Sequence, residues 1–353
     1  MPAALELPVT QSPAAPGLGP QGPFPAVPLS DVLERRWLHY AFLTRDCEFG
    51  MVANAAWLGV GSGQPERPFS TCILLVHRRN CGWAASQFNA RAAEPLWSCF
   101  RQPYGLHEPR PLVLRAASGD PGVELRLARS SRPCTNQCAG FAGDHFFRWQ
   151  SEPGILAQGN WTFRGRTWTD QQAVGYHERV RGRWGWPELG GWVFGFANDT
   201  AATTEAAPAH ALVFTLIQPD SPPGAATASV MVWRSGRFVR HFPRRRVSVA
   251  VRGLLDRNRV AQVPGLANLL GVAPMAPVPS RLAVCAAMGG DFVALDFACE
   301  SAARIVIPNE TGLAPFSVHE VIGPAEVEGR ISGRPFRFAT FGIVEFAGGA
   351  RAG

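Results

Sequence analysis

The chain has 353 residues, 34 basic against 27 acidic side chains for a net charge of +7, and a mean hydropathy of −0.02. A hydrophobic fraction of 46% excludes wholesale disorder, and the length suits two ordinary domains or one large β domain. All 34 basic residues are arginine, which excludes a Schiff-base lysine, a P-loop lysine and a lysine general base together.

Residues 1–30 hold eight prolines, one charged residue (Glu6) and no periodicity, and are read as a flexible Pro-rich tail. From Arg36 onward, short apolar or alternating runs recur between Gly, Pro, Asn and Asp. They include 36–44, 50–58, 69–77, 111–116 and 123–129, then 191–198, 210–217, 228–234 and 335–346. Runs of this length at this spacing predict an antiparallel sandwich or barrel. With 37 glycines and 31 prolines, long helices are disfavoured. The main helical stretch, 253–272, is interrupted by Pro264 and reads as two short turns. No internal repeat is obvious, although position 188 divides the chain into halves suited to two similar β domains, 31–188 and 189–353.

Eight cysteines contain no C-x-x-C pair, so a metal site is not predicted and the thiols read as reduced, buried apolar residues. No basic and apolar leader is visible, and no run of 18 apolar residues occurs. A cytoplasmic protein with at most peripheral membrane contact is expected. Arg244-Arg245-Arg246 is the one dense basic run. Without zinc-finger spacing, an RNP-type strand or a basic helix, it reads as a solvated face rather than a nucleic-acid site.

Six of the eleven tryptophans fall between 149 and 192, interleaved with Phe146, Phe147, Phe163, Phe194 and Phe196. A large aromatic core explains most of them. Because residues two apart share a strand face, His145, Phe147 and Trp149 lie on one side of one strand. Tyr176 and Glu178 share a face of a second, with His177 opposed. Trp192, Phe194, Phe196 and Asn198 share a face of a third. If these faces converge, a lone carboxyl sits among aromatic rings, where desolvation raises its pKa and lets it act as an acid near neutrality. Ring quadrupoles could stabilise a developing carbocation. The competing reading of Glu178 is an ion pair with Arg179, Arg181 or Arg183. Asp46, Glu48 and Glu345 are further carboxylates that could line a pocket, the competing reading of each being a solvated loop or a strand-end ion pair.

The run 145–198 (HFFRWQSEPGILAQGNWTFRGRTWTDQQAVGYHERVRGRWGWPELGGWVFGFAN) resembles the carotenoid 1,2-hydratase and AttH-like proteins. It shares their aromatic-Trp strand, their Gly-Tyr-x-acid motif and the tryptophan strand that follows. The closing run 325–348 (AEVEGRISGRPFRFATFGIVEFAG) is similar to their last strand pair. Tocopherol cyclases and decalin-forming Diels–Alderases share related features. The resemblance implies two tandem lipocalin-like antiparallel β-barrel domains, with few short helices and a ligand pocket near their junction. It places Tyr176 and Glu178 on the hydratase's Tyr-x-Asp, whose acid protonates a terminal alkene, and Trp149 on a functional tryptophan. The hydratase's histidine corresponds to Phe147, with His145 on the same strand face, and its following His/Asn pair is Arg179-Val180.

The expected activity is cofactor-free hydration or cyclisation of an apolar polyene, terpenoid or polyketide. Glu178, Tyr176 and His145 would do the chemistry, with Trp149, Phe147, Trp192, Phe194, Phe196 and Asn198 around the substrate. The alternative is a lipocalin-like carrier of a lipid or isoprenoid, in which Glu178 is paired or solvated. No G-x-S-x-G elbow supports hydrolysis, and His177 and Glu178 point apart and so do not chelate one ion.

Overall fold

In the computed structural model the described residues are 33–58, 69–90, 111–115, 119–139, 145–185, 189–200, 207–219, 227–263, 277–307 and 316–349. The predicted tail and residues 264–272 of the 253–272 stretch lie outside them. The described part of that stretch holds a short 3-10 turn at Arg257–Arg259. Among the described residues there is no helix of seven or more residues, and the molecule is built from two sheets, one of them a half-barrel. This is the all-β, lipocalin-like architecture expected.

The first sheet comprises β1 (Glu34–Thr44), β2 (Phe49–Leu58), β3 (Phe69–Arg78), β4 (Gly82–Ala90), β5 (Pro111–Arg115), β6 (Gly122–Ala128), β7 (Cys134–Ala139), β8 (Phe146–Phe163) and β9 (Arg166–Arg183). The second begins with β10 (Leu189–Asn198), β11 (His210–Pro219), β12 (Thr227–Arg234), β13 (Arg237–Pro243), β14 (Val247–Arg252) and β15 (Val260–Gln262). It is completed by β16 (Arg281–Met288), β17 (Asp291–Ala298), β18 (Ser301–Ile307), β19 (Phe316–Ile331) and β20 (Arg334–Gly349).

The strand orders are β4-β3-β2-β1-β9-β8-β6-β5, with β7 beside β8, and β13-β12-β11-β10-β20-β19-β17-β16-β14, with β18 beside β19. Each sheet is therefore a four-strand meander joined to a long hairpin, β8–β9 or β19–β20. One topology occurs twice, a repeat that was not legible by eye.

Where the two sheets pack together, the strands are buried on both faces, one toward each core. On β1, Leu38, Tyr40 and Phe42 enter the first sheet's own core, while Trp37, Ala41 and Leu43 face the second sheet. The shared core between the sheets joins Phe147, Trp149, Tyr176 and Val180 to Phe194, Phe196, Ile305 and Ile343. A bulge sharpens this division on β8. The register shifts between Pro153 and Ile155, around Gly154 at φ +74°. Before it, Phe147 and Trp149 face the other sheet; after it, Ile155, Ala157 and Trp161 face the first sheet's own core.

Candidate functional site

Glu178 sits on β9 opposite His39 of β1 and Ser151 of β8. The three side chains share a face. Glu178 is 8% exposed, and no ion pair reaches it. Of the neighbouring arginines, Arg181 pairs with Glu34 at 3.4 Å, and Arg179 donates to His177 Nε2 at 3.1 Å on the opposite face. The ion-pair reading of Glu178 is thereby replaced. Its hydrogen-bond partner is neutral: the Tyr176 hydroxyl donates to Oε2 at 2.5 Å. The Ser151 hydroxyl lies 2.9 Å from the Tyr176 oxygen, so Ser151, Tyr176 and Glu178 form a chain of donors ending on the carboxyl. Desolvation pushes the Glu178 pKa up to about 8, outweighing these hydrogen bonds, and the nearby Glu345 carboxyl adds to the rise.

His177 points away, as alternation requires. It stacks on Tyr40 (4.1 Å, 11°), and its Nδ1 lies 2.9 Å from the His39 carbonyl. With Arg179 donating to Nε2, this ring is a neutral tautomer that donates from Nδ1.

Beside Glu178 is a hollow lined by both sheets. Trp37, Phe147, Trp149 and Glu178 come from the first; Trp192, Phe194, Thr215, Ile217 and Glu345 come from the second. Its cavity volume is about 20 Å³. That is room for about one water molecule. The site is closed, with none of the volume that a prenyl or polyene chain fills, so such a ligand enters only if aromatic side chains or sheets part. Two polar atoms on its wall, Trp149 Nε1 and Thr215 Oγ1, are buried without a hydrogen-bond partner.

Several expectations needed correction. Phe147, Trp149, Trp192 and Phe194 do converge with Glu178. Tyr176 stands behind the carboxyl, and Phe196 stacks on Tyr176 (5.2 Å, 17°) rather than on the hollow. Asn198 is turned aside and donates to the Gly175 carbonyl at 3.1 Å. Gly175 itself allows the close approach of β9 to β1, since a Cβ there would lie 2.2 Å from the Ala41 carbonyl oxygen. His145 is not brought to the acid: Phe146 pairs with Arg183 and Ser151 with Glu178, so His145 is six residues, roughly 20 Å, along the strand. The unbroken β8–β9 ladder from Phe146 to Ser151 fixes that distance.

Residues outside the expected set take its place. Glu345, one of the further carboxylates that could line a pocket, does so: it is 8% exposed and accepts from the Trp192 indole N–H. Directly opposite it on β19 is Glu320, 1% exposed. Burial and the Glu345 charge hold the Glu320 carboxyl well above its ordinary range, and burial raises Glu345 as well. His39, 3% exposed, completes the group; its Nε2 has no partner, and burial lowers its pKa to about 4. The donor atoms of His39, Glu320 and Glu345 lie within 4.8 Å of one another, the one such trio with metal-ligand chemistry among the described residues. In contrast, Asp46 and Glu48 are turn residues: Asp46 accepts from Thr44, and Glu48 pairs with Arg78 at 2.7 Å.

A sequence signal for this second carboxylate was present. Gly175-Tyr-His-Glu178 on β9 and Gly342-Ile-Val-Glu345 on β20 are the same G-x-x-E spacing on the corresponding strands of the two sheets. Trp37 and His39 share a face at the period of two, beside the strand that carries Glu178.

No protein-family model matches the chain, and no curated protein matches it in sequence. Solved structures do. A Nitrosomonas europaea protein, NE1406, provisionally assigned as an AttH, superposes with a TM-score of 0.58 at 14% identity, covering 89% of this chain and 92% of its own. CghA superposes with a TM-score of 0.51 at 11% identity, covering 93% and 95%. CghA holding Sch210972 gives 0.50 at 10% identity with the same coverage. At these identities the likeness shows the fold: the chain has the two-sheet, lipocalin-like architecture of these proteins over nearly its whole length.

Proposed function

We propose that the protein is a cofactor-independent enzyme that protonates an alkene of an apolar small molecule, with Glu178 as the acid, and so initiates hydration or cyclisation. The observation that carries this reading is a buried carboxyl with only neutral partners and a pKa near 8, facing an aromatic hollow between two sheets. At neutral pH such a group holds a proton and can give it up.

In the proposed step the Glu178 O–H bond breaks as a C–H bond forms at one alkene carbon, leaving a cation on the other. Tyr176 donates to the resulting carboxylate and lowers its energy. The faces of Trp149, Trp192 and Phe194 stabilise the cation. Capture by water, followed by proton return to Glu178, completes hydration. Capture by a second alkene of the same chain, followed by proton loss to Glu178, completes cyclisation. The unpartnered Trp149 N–H offers a donor to a polar atom of the substrate. The resemblance to hydratases and cyclases, and the small organic ligand held by CghA, agree with a substrate of the polyene, terpenoid or polyketide class.

Incubating the protein with such compounds in D₂O tests the reading. Deuterium in the product at the protonated carbon, lost in Glu178→Gln, is the expected result. Binding of these ligands by the wild type without any conversion would instead make it a carrier.

A further inference from the structure

Outside the site, one surface combines charge and apolar exposure. Between Arg244 and Gln262 the chain carries six arginines (244, 245, 246, 252, 257 and 259) and one acid, Asp256. All six are exposed, and none forms an ion pair among the described residues. Their position follows from topology: β14 is the terminal strand of its sheet, and short 3-10 turns precede and follow it. Arg281 of β16 is directly opposite Arg252 and is exposed too, which extends the basic surface onto the second strand; on β17 and β19 the same face turns acidic, with exposed Asp296, Glu326 and Glu328.

Among these arginines stand the large apolar side chains that the described residues leave exposed. Leu254 is 72% exposed, Val251 52% and Phe292 37%. Leu254 is held outward by its surroundings. Gly253 turns the chain at φ +60°, Ser280 Oγ donates to the Arg252 carbonyl at 3.0 Å, and the Leu255 N–H donates to the Val278 carbonyl at 2.8 Å while its own side chain is buried. At the other end of β14, beside Arg245 and Arg246, is an open depression of about 470 Å³ to which Ser248, Cys285, Ala287 and Phe292 contribute outward-facing side chains. Cationic groups beside a small apolar surface match an amphiphile: anionic headgroup against guanidinium, hydrocarbon against Leu254 and Phe292.

We propose that this edge of the second sheet is a docking surface for an anionic lipid bilayer. Charge complementarity identifies the partner class. Each arginine near an anionic leaflet strengthens binding by about fivefold. The apolar residues separate a bilayer from a nucleic acid, which offers phosphates but no hydrocarbon phase in which Leu254 would be buried. Docking would also bring the protein to the phase in which apolar substrates dissolve, although it does not depend on the chemistry at Glu178.

Co-sedimentation of the full chain with vesicles tests the proposal. Binding to phosphatidylglycerol/phosphatidylcholine vesicles at low salt, with none to pure phosphatidylcholine, is expected. Arg244→Ala/Arg245→Ala/Arg246→Ala should weaken it by about 100-fold, and raised salt should weaken it in parallel. Leu254→Ser should weaken it by about tenfold while leaving the salt dependence. These side chains are exposed, and thermal melts indistinguishable from wild type confirm folding. No binding to either vesicle, equal binding to both, or binding to a DNA duplex with none to vesicles would overturn the assignment. The readout involves no turnover, so its failure and that of the Glu178 acid are separately visible.

Discussion

Glu178 and Glu345 occupy the same place in the two sheets. Each lies on the long strand joining the meander to the hairpin, β9 or β20, three residues after a glycine, and each faces the other sheet across one hollow. Their cross-strand neighbours differ: Glu178 is between His39 and Ser151, and Glu345 is between Phe194 and Glu320. Glu178 thus has a hydroxyl chain behind it, whereas Glu345 has a second carboxyl. The same topology has produced two unequal acids.

Replacing Glu178 by Gln is expected to lower turnover by about 10²- to 10⁴-fold, the usual contribution of a positioned acid, with folding retained. Rates with matched circular dichroism spectra check this.

The pH dependence of stability follows from the same group. Its folded pKa, about 8, lies above the unfolded carboxyl value near 4.5, so the native state binds the proton more tightly. The benefit is complete below the unfolded value and is lost as pH rises toward 8, at about 1.4 kcal/mol per pH unit for one site. Melts from pH 5 to 9 should show wild type falling relative to Glu178→Gln across that window.

Activity should decline above pH about 8, where Glu178 loses its proton, and two substitutions should move this limb in opposite directions. Tyr176→Phe removes a hydrogen bond that favours the carboxylate, so the limb moves to higher pH, with a rate loss of about 10- to 100-fold. Glu345→Gln removes a like charge, so the limb moves to lower pH. Profiles of kcat/KM against pH distinguish these shifts.

His145→Ala is expected to leave turnover within about twofold, because the residue is roughly 20 Å along the strand from the acid. Trp149→Ala, in contrast, truncates a fully enclosed ring and should cost about 3–5 kcal/mol in chemical denaturation.

Much of the aromatic lining of the site was legible because alternation is local. Phe147 with Trp149, Tyr176 with Glu178, and Trp192 with Phe194 share faces as expected, and His177 opposes them. Locality failed where register had to be known. His145 shares a face with Trp149, but a face says nothing about height along the ladder. Asn198 shares a face with Phe194, yet its amide is drawn to the Gly175 carbonyl on the neighbouring sheet. Glu345 resembled any strand carboxylate until a second sheet covered it.

The sequence alone determined that the chain is all-β, where many of its strands run, and which of the expected side chains share a face, since these follow from turn residues and a two-residue period. Tertiary structure decided which faces meet and at what height: it brought Trp37, His39, Glu320 and Glu345 to Glu178, left His145 at the strand's far end and closed the hollow to about 20 Å³. Those outcomes depend on ladder register and on the packing of one sheet against the other, which couple residues distant in the chain.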